Sequence, residues 1–284
     1  MNYKGFDTIL GETIKIYTSM GVNQKKYRIS VLLDMSKNSS FVLNSAVELA
    51  KRVQGSIEVF HVKPTTNIIK GDSQLSAIRT LNQDDRSTRA EINELISKIS
   101  EKENLSISYK LEYGNVKNRV RDYLALQNPD ILVLGKRRPR LGMFFESITD
   151  FVINQTNNTN VLILGEDDKF HSFEDINLGF FGAELAETDL EVIQDLKRDS
   201  EKPVRHFDIS NEETSQNRNY PWHKTISYKF SKGANALDGL VSYVARTNTQ
   251  LLCVPKSGKN FMFTPSPIKS VIRKTKVPLM VFAK

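Results

Sequence analysis

Lys136, Arg137, Arg138 and Arg140 stand directly after the apolar run Ile131–Gly135, in the stretch DILVLGKRRPRLGMFFES. Cationic side chains at that place can pair directly with phosphate oxygens. A glycine at the strand end, Gly135, lets backbone N–H groups approach the same oxygens. Gly142 and Ser147 follow, and a serine opening a helix adds a hydroxyl and free N–H groups at the positive end of the helix dipole. The chemistry would be anion recognition; the alternative is a solvated turn. Asp34 and Ser36 follow a second apolar run, RISVLLD. A carboxylate there can bind ligand hydroxyls or amines, or it can cap the turn and helix that Ser39 and Ser40 begin.

Other chemistries find less support. The single cysteine, Cys253, lies in the apolar run LLCV and reads as a buried thiol. One cysteine excludes an internal disulfide framework and any CxxC metal site. His61, His171, His206 and His223 lack HExxH or other ligand spacing, which argues against a zinc enzyme. His61 ends a strand and is placed to line a crevice, with nothing beside it to complete a triad. Asp150 and Glu146 form no convincing acid–base pair.

The net charge of +7 allows anionic partners, but Lys and Arg are scattered among acids, as on a solvated surface. No aromatic–basic strip or recognition helix supports nucleic-acid binding. No apolar run approaches the roughly 20 residues that span a bilayer. The N-terminus lacks the apolar core of a signal peptide, so the cytoplasm is the expected location.

These residues need strands and helices to hold them. Phe6, Ile9, Leu10, Ile14 and Tyr17 recur at helical spacing, which predicts a helical arm over 1–27. Apolar strands are expected at 28–34, 56–62, 105–114, 131–135 and 161–165, with helices at 40–53, 86–103, 115–128 and 146–156 and an irregular segment at 64–80. Strands that are apolar throughout and alternate with helices argue for a parallel sheet covered on both faces. Right-handed crossovers then give a doubly wound sandwich.

The same order recurs later. YKLEYG at 109–114 matches YKFSKG at 228–233, ILVLGKRR at 131–138 matches LLCVPKSG at 251–258, and GMFFES at 142–147 matches FMFTPS at 261–266. VLIL at 161–164 matches LMVF at 279–282. Fixed order and spacing mark a duplicated domain. The expected organisation is an arm over 1–27, a first domain over 28–165, a linker over 166–175 and a shorter second domain over 176–284. The second domain carries the polar loop NEETSQNRNYPWHK where the first has its second helix, and Trp222 is the residue to anchor it.

Asp34 with Ser36, Gly114 after the third strand, PDILVLG at 129–135 and Ser147 opening the last helix resemble the universal stress protein family. The resemblance implies two tandem five-stranded parallel sheets of order 3-2-1-4-5, Rossmann-like and of the adenine nucleotide alpha hydrolase type, paired as a pseudo-dimer. Some members bind ATP through G-x2-G-x9-G-[ST]; others lack the loop and bind little or no nucleotide. Carried over, it places Asp34 near base or ribose, Gly135 at the first loop glycine and Ser147 at phosphate. The candidate ligand set is Asp34, Ser36, Val62, Gly135, Arg138, Gly142 and Ser147, with no catalytic or metal residue.

The chain departs from that loop. Arg138 takes the second glycine position, Glu146 the third, and the spacing between them is two residues shorter. A carboxylate beside a phosphate costs about 1 kcal/mol or more even when partly screened. ATP is the cofactor the resemblance implies, yet this loop argues against ATP binding. In the second copy Pro255 replaces the first glycine and no Asp-x-Ser follows the first strand, so no nucleotide is expected there. The expected function is a stress-type regulatory protein without strong catalysis, with a nucleotide or phosphorylated ligand in the first copy as its ligand class. Its expected contacts are between the paired copies, in a homodimer, or with a regulatory protein. The competing reading is a nucleotide- or flavin-using enzyme on the same α/β plan.

Overall fold

In a computed structural model the described residues are 25–64, 74–136, 147–165, 172–182, 185, 187–211, 220–222, 224–256 and 267–283. The first half runs β1 (Tyr27–Leu33), α1 (Ser39–Val53), β2 (Gly55–Lys63), α2 (Gln74–Glu103), β3 (Ile107–Tyr113), α3 (Val116–Gln127), β4 (Ile131–Gly135), α4 (Ile148–Gln155) and β5 (Asn160–Leu164). The second half runs β6 (Leu178–Phe181), α5 (Glu187–Leu196), β7 (Val204–Ile209), β8 (Thr225–Phe230), α6 (Ala236–Arg246), β9 (Leu251–Pro255), α7 (Pro267–Lys274) and β10 (Leu279–Phe282).

All ten strands form one sheet of order β3-β2-β1-β4-β5-β10-β9-β6-β7-β8. Each half therefore has the 3-2-1-4-5 order, and the halves join edge to edge. The join is antiparallel, with Val161 opposite Val281, Leu162 opposite Met280 and Ile163 opposite Leu279. Every other pairing is parallel. Pairing β5 with β10 removes two exposed edges that would otherwise template aggregation.

The central strands are apolar throughout because they feed two cores at once. Ile131 and Val133 of β4 point to the face covered by α1, α2 and α5. Leu132 and Leu134 point to the face covered by α3, α4, α6 and α7. Each core contains residues of both halves, so neither half closes its interior alone. On the first face the halves are also tied by polar contacts. Tyr27 Oη and Lys26 Nζ lie 2.8 and 2.6 Å from Asp195 Oδ2, and Arg52 Nε donates to the Leu196 carbonyl. Burial alone would push the Asp195 carboxyl up; the bonds from Lys26, Tyr27 and Arg198 outweigh it and hold the carboxyl below the ordinary range.

The structure departs from the sequence reading in one place. Helix α2 begins at Gln74, inside the segment expected to be irregular, and continues to Glu103. The proposed N-terminal arm lies, up to residue 24, outside the described residues. In the second half no helix lies between β7 and β8 among the described residues. Aromatic side chains cover that part of the sheet. Phe180 stacks on His206 with ring centres 4.3 Å apart, and Tyr220 stacks on Trp222 at 4.7 Å. Trp222 Nε1 donates to Thr225 Oγ1 at 2.7 Å, which fixes the returning chain to β8.

Candidate functional site

The winding reverses between β1 and β4, and ligands of open α/β sheets bind beyond the carboxyl ends of the strands at such a point. Here a cleft of about 540 Å³ opens at those ends. This is within the range of small-ligand pockets. Leu32, Val62, Pro64, Val116, Leu134 and Ile148 give it apolar walls, and Asp34, Ser36, Asn38, Ser39 and His61 give it polar ones. Sequence reasoning named Asp34, Ser36, Val62 and Gly135, and the fold brings all four to this cleft. It passed over Asn38, Ser39, Pro64, Val116 and Ile148, whose approach depends on where α1, α3 and α4 start.

The β1 end is built by a sharp turn. Met35 takes the left-handed conformation, φ 54°, which is uncommon for a side chain without a polar head. The turn brings the Ser36 N–H within 2.9 Å of Asp34 Oδ1, and Ser39 Oγ donates to the same oxygen at 3.3 Å. Asp34 thus braces the turn into α1, the capping role the sequence allowed, and it also lines the cleft. The side chain of Asn38, which precedes α1, makes no cap bond. Gly135 lies where an added Cβ would come within 3.1 Å of Val42 Cγ2. Its lack of a side chain lets α1 close over the end of β4, whatever its role toward a ligand.

The α4 side is different. Ser147 caps α4, accepting the Asp150 N–H at 3.0 Å and donating its hydroxyl to Asp150 Oδ2 at 2.9 Å. Ile148, not Ser147, reaches the cleft wall. The hydroxyl that the family resemblance assigns to phosphate is committed to a carboxylate. That carboxylate already occupies the positive end of the helix dipole. Arg138 and Gly142 lie outside the described residues, as do Arg137, Arg140 and Glu146.

Lys136, the first cation of the basic block, lines the cleft and also reaches across the seam. Its ammonium bonds the carbonyls of Ile272, Arg273 and Thr275 at the C-terminus of α7 in the other half. Lys256 follows β9 as Lys136 follows β4, and it does the reverse. It bonds the Thr156 carbonyl and, at 3.4 Å, Asn157 Oδ1 at the C-terminus of α4. Each lysine meets the negative end of a helix dipole across the seam. The repeat had aligned these lysines in the sequence, but only the edge-to-edge join shows what they reach.

His61 is buried, with Nδ1 2.8 Å from the Leu33 carbonyl. Burial pulls its ring below the usual imidazole value, against the raising influence of that bond and of Asp34. Cys253 is fully buried in β9, and burial pushes its thiol far up, so it carries no thiolate chemistry. Among the described residues no helix is long and apolar enough to cross a membrane.

Residues 27–164 match the sequence profile of the universal stress protein family. No curated protein matches the chain. Among solved structures, a universal stress protein from Archaeoglobus fulgidus aligns with a TM-score of 0.68 at 16% identity, covering 91% of this chain and 96% of that one. A putative universal stress protein from Pseudomonas aeruginosa aligns with a TM-score of 0.54 at 10% identity, covering 91% and 94%. At these identities the likeness shows a shared fold, and it extends over both halves. The profile match covers residues 27–164, and over both halves the chain shares the fold of these solved universal stress proteins.

Proposed function

We propose that the chain is a regulatory stress-type protein that binds a nucleoside-like ligand in the cleft of its first half and carries out no strong catalysis. On this reading ATP binds weakly or not at all. The observation that carries it is the contrast between the two ends of the cleft. The β1–β2 end offers Asp34, Ser36 and the Val62 wall in an open pocket. At the α4 end the Ser147 hydroxyl is spent on Asp150. A ligand's base and sugar would lie at the first, and the second discourages a phosphate chain.

A binding role is supported by how the polar groups are used. Ser39 donates to Asp34, Ser36 Oγ lies 3.4 Å from the Asn38 N–H, and His61 holds a backbone carbonyl. None of these is arranged as a nucleophile with its base. In this reading 28–165 is the ligand-bearing domain and 176–284 a pairing domain without nucleotide. The regulatory output would pass through the pairing surface or a protein partner.

Titration calorimetry with adenosine tests it. Binding between about 10 μM and 1 mM is expected. Asp34→Ala should weaken it about tenfold or more, by removing a charged acceptor worth roughly 1.5–3 kcal/mol. Unchanged affinity in a variant that keeps its melting temperature would contradict the assignment.

A further inference from the structure

His61 is only 7% exposed, yet it lines the cleft. Its Nδ1 sits 2.8 Å from the Leu33 carbonyl, which can only accept. Nδ1 therefore carries the ring proton, and in the neutral ring Nε2 is left with a lone pair. No partner for Nε2 lies among the described residues. Nε2 is not among the buried unpartnered side-chain atoms, so it meets the open cleft, where a ligand that donates to it takes the place of water. Asp34, on the neighbouring strand end, is a second acceptor on the same wall.

We infer that His61 is a specificity-determining residue of this cleft, reading through Nε2 a hydrogen-bond donor on the ligand. The inference rests on the nucleoside reading above and narrows it. The β1–β2 end selects amino or hydroxyl groups and turns away phosphate oxygens, which present only acceptors at neutral pH. An exocyclic amine or a ribose hydroxyl satisfies the requirement; a carbonyl or phosphate facing His61 does not.

The pH dependence follows from geometry and surroundings. Protonating the ring turns Nε2 from acceptor into donor and abolishes the selection. Burial opposes protonation, as does Lys63 on β2. Asp34 from β1 and Glu91 from α2 favour it, and Lys136 beyond β4 lines the same cleft. Burial is the largest of these influences, so the acceptor form holds at neutral pH and is lost only as pH falls below the ordinary imidazole value of about 6.5.

The test compares adenosine binding to the full-length protein, His61→Leu and His61→Gln, each checked for its melting temperature. Glutamine can offer a carbonyl oxygen as acceptor; leucine cannot. The expected result is a loss of about tenfold or more in His61→Leu, with His61→Gln within about threefold of the parent. Parent affinity should fall only as pH drops below about 6.5 while that of His61→Gln stays level. Equal affinity in parent and His61→Leu, equal losses in both variants, or parallel pH profiles would overturn the inference and leave the nucleoside reading standing. No adenosine binding by the parent at about 5 mM would overturn both.

Discussion

Phe180→Ala is expected to destabilise the protein by about 3–5 kcal/mol, the usual cost of truncating a fully buried aromatic. Phe180 has no exposed surface and stands on the central strand of the second half. It stacks on His206 and meets Tyr220 and Trp222 edge-on at 5.3 and 5.9 Å. This cluster covers sheet that α2 covers in the first half, so the lost ring leaves a cavity beneath it. The chain has one tryptophan, Trp222, and its fluorescence reports on this cluster directly. Urea unfolding followed by that signal should show the midpoint falling in the variant. A change below about 1 kcal/mol would mean that the aromatic cover adds little to the fold.

Lys136→Met with Lys256→Met is expected to cost about 4 kcal/mol, and each single change about 2 kcal/mol. Methionine keeps an apolar stem of similar reach while removing the charge. Each ammonium makes charge-assisted bonds to backbone acceptors, typically worth about 1.5–3 kcal/mol, and faces the end of a helix dipole. The two lysines bond carbonyls at the ends of different helices, Ile272 of α7 and Thr156 after α4, so their effects should add to within about 0.5 kcal/mol. Lys37→Met, at an exposed position, serves as control and should change stability by less than about 0.5 kcal/mol. Thermal or urea unfolding provides the measurement. If the double variant is no less stable than the control, the reciprocal clasp contributes nothing to pairing the halves.

Much of this architecture could be read from residue order. The run ILVLG at 131–135 is apolar at every position because alternate residues serve opposite cores, and that pattern alone argued for a parallel sheet. The matched segments around 131–138 and 251–258 gave the duplication; pairing of the copies was what the family resemblance implied, and the structure places the seam between their last strands. Helix α2 was harder. Leu75, Ile78 and Leu81 have helical spacing, but Asn82, Asp84 and Asp85 interrupt the apolar period before the stronger run begins.

At the candidate site, legibility divided along the same line as function. Asp34, Ser36, Val62 and Gly135 sit at strand ends, so strand order sufficed to bring them together. Ser147 carried a signal that family resemblance overrode. Ser147-x-x-Asp150 is an N-cap pattern, and the structure uses it as one. The role of Lys136 was hidden for another reason. Its partners lie more than 130 residues away in the chain, at a helix end whose position depends on the seam. Local spacing cannot disclose such a contact.

On the proposed reading, the cleft takes base and sugar and offers little to a phosphate chain. Parallel calorimetric titrations with adenosine and with magnesium ATP measure this directly. The account predicts that ATP binds no more tightly than adenosine, within about threefold, because the Ser147–Asp150 pair gives the added phosphates nothing to gain. Magnesium ATP binding about 100-fold tighter than adenosine, equal to about 2.7 kcal/mol of phosphate recognition, would contradict it.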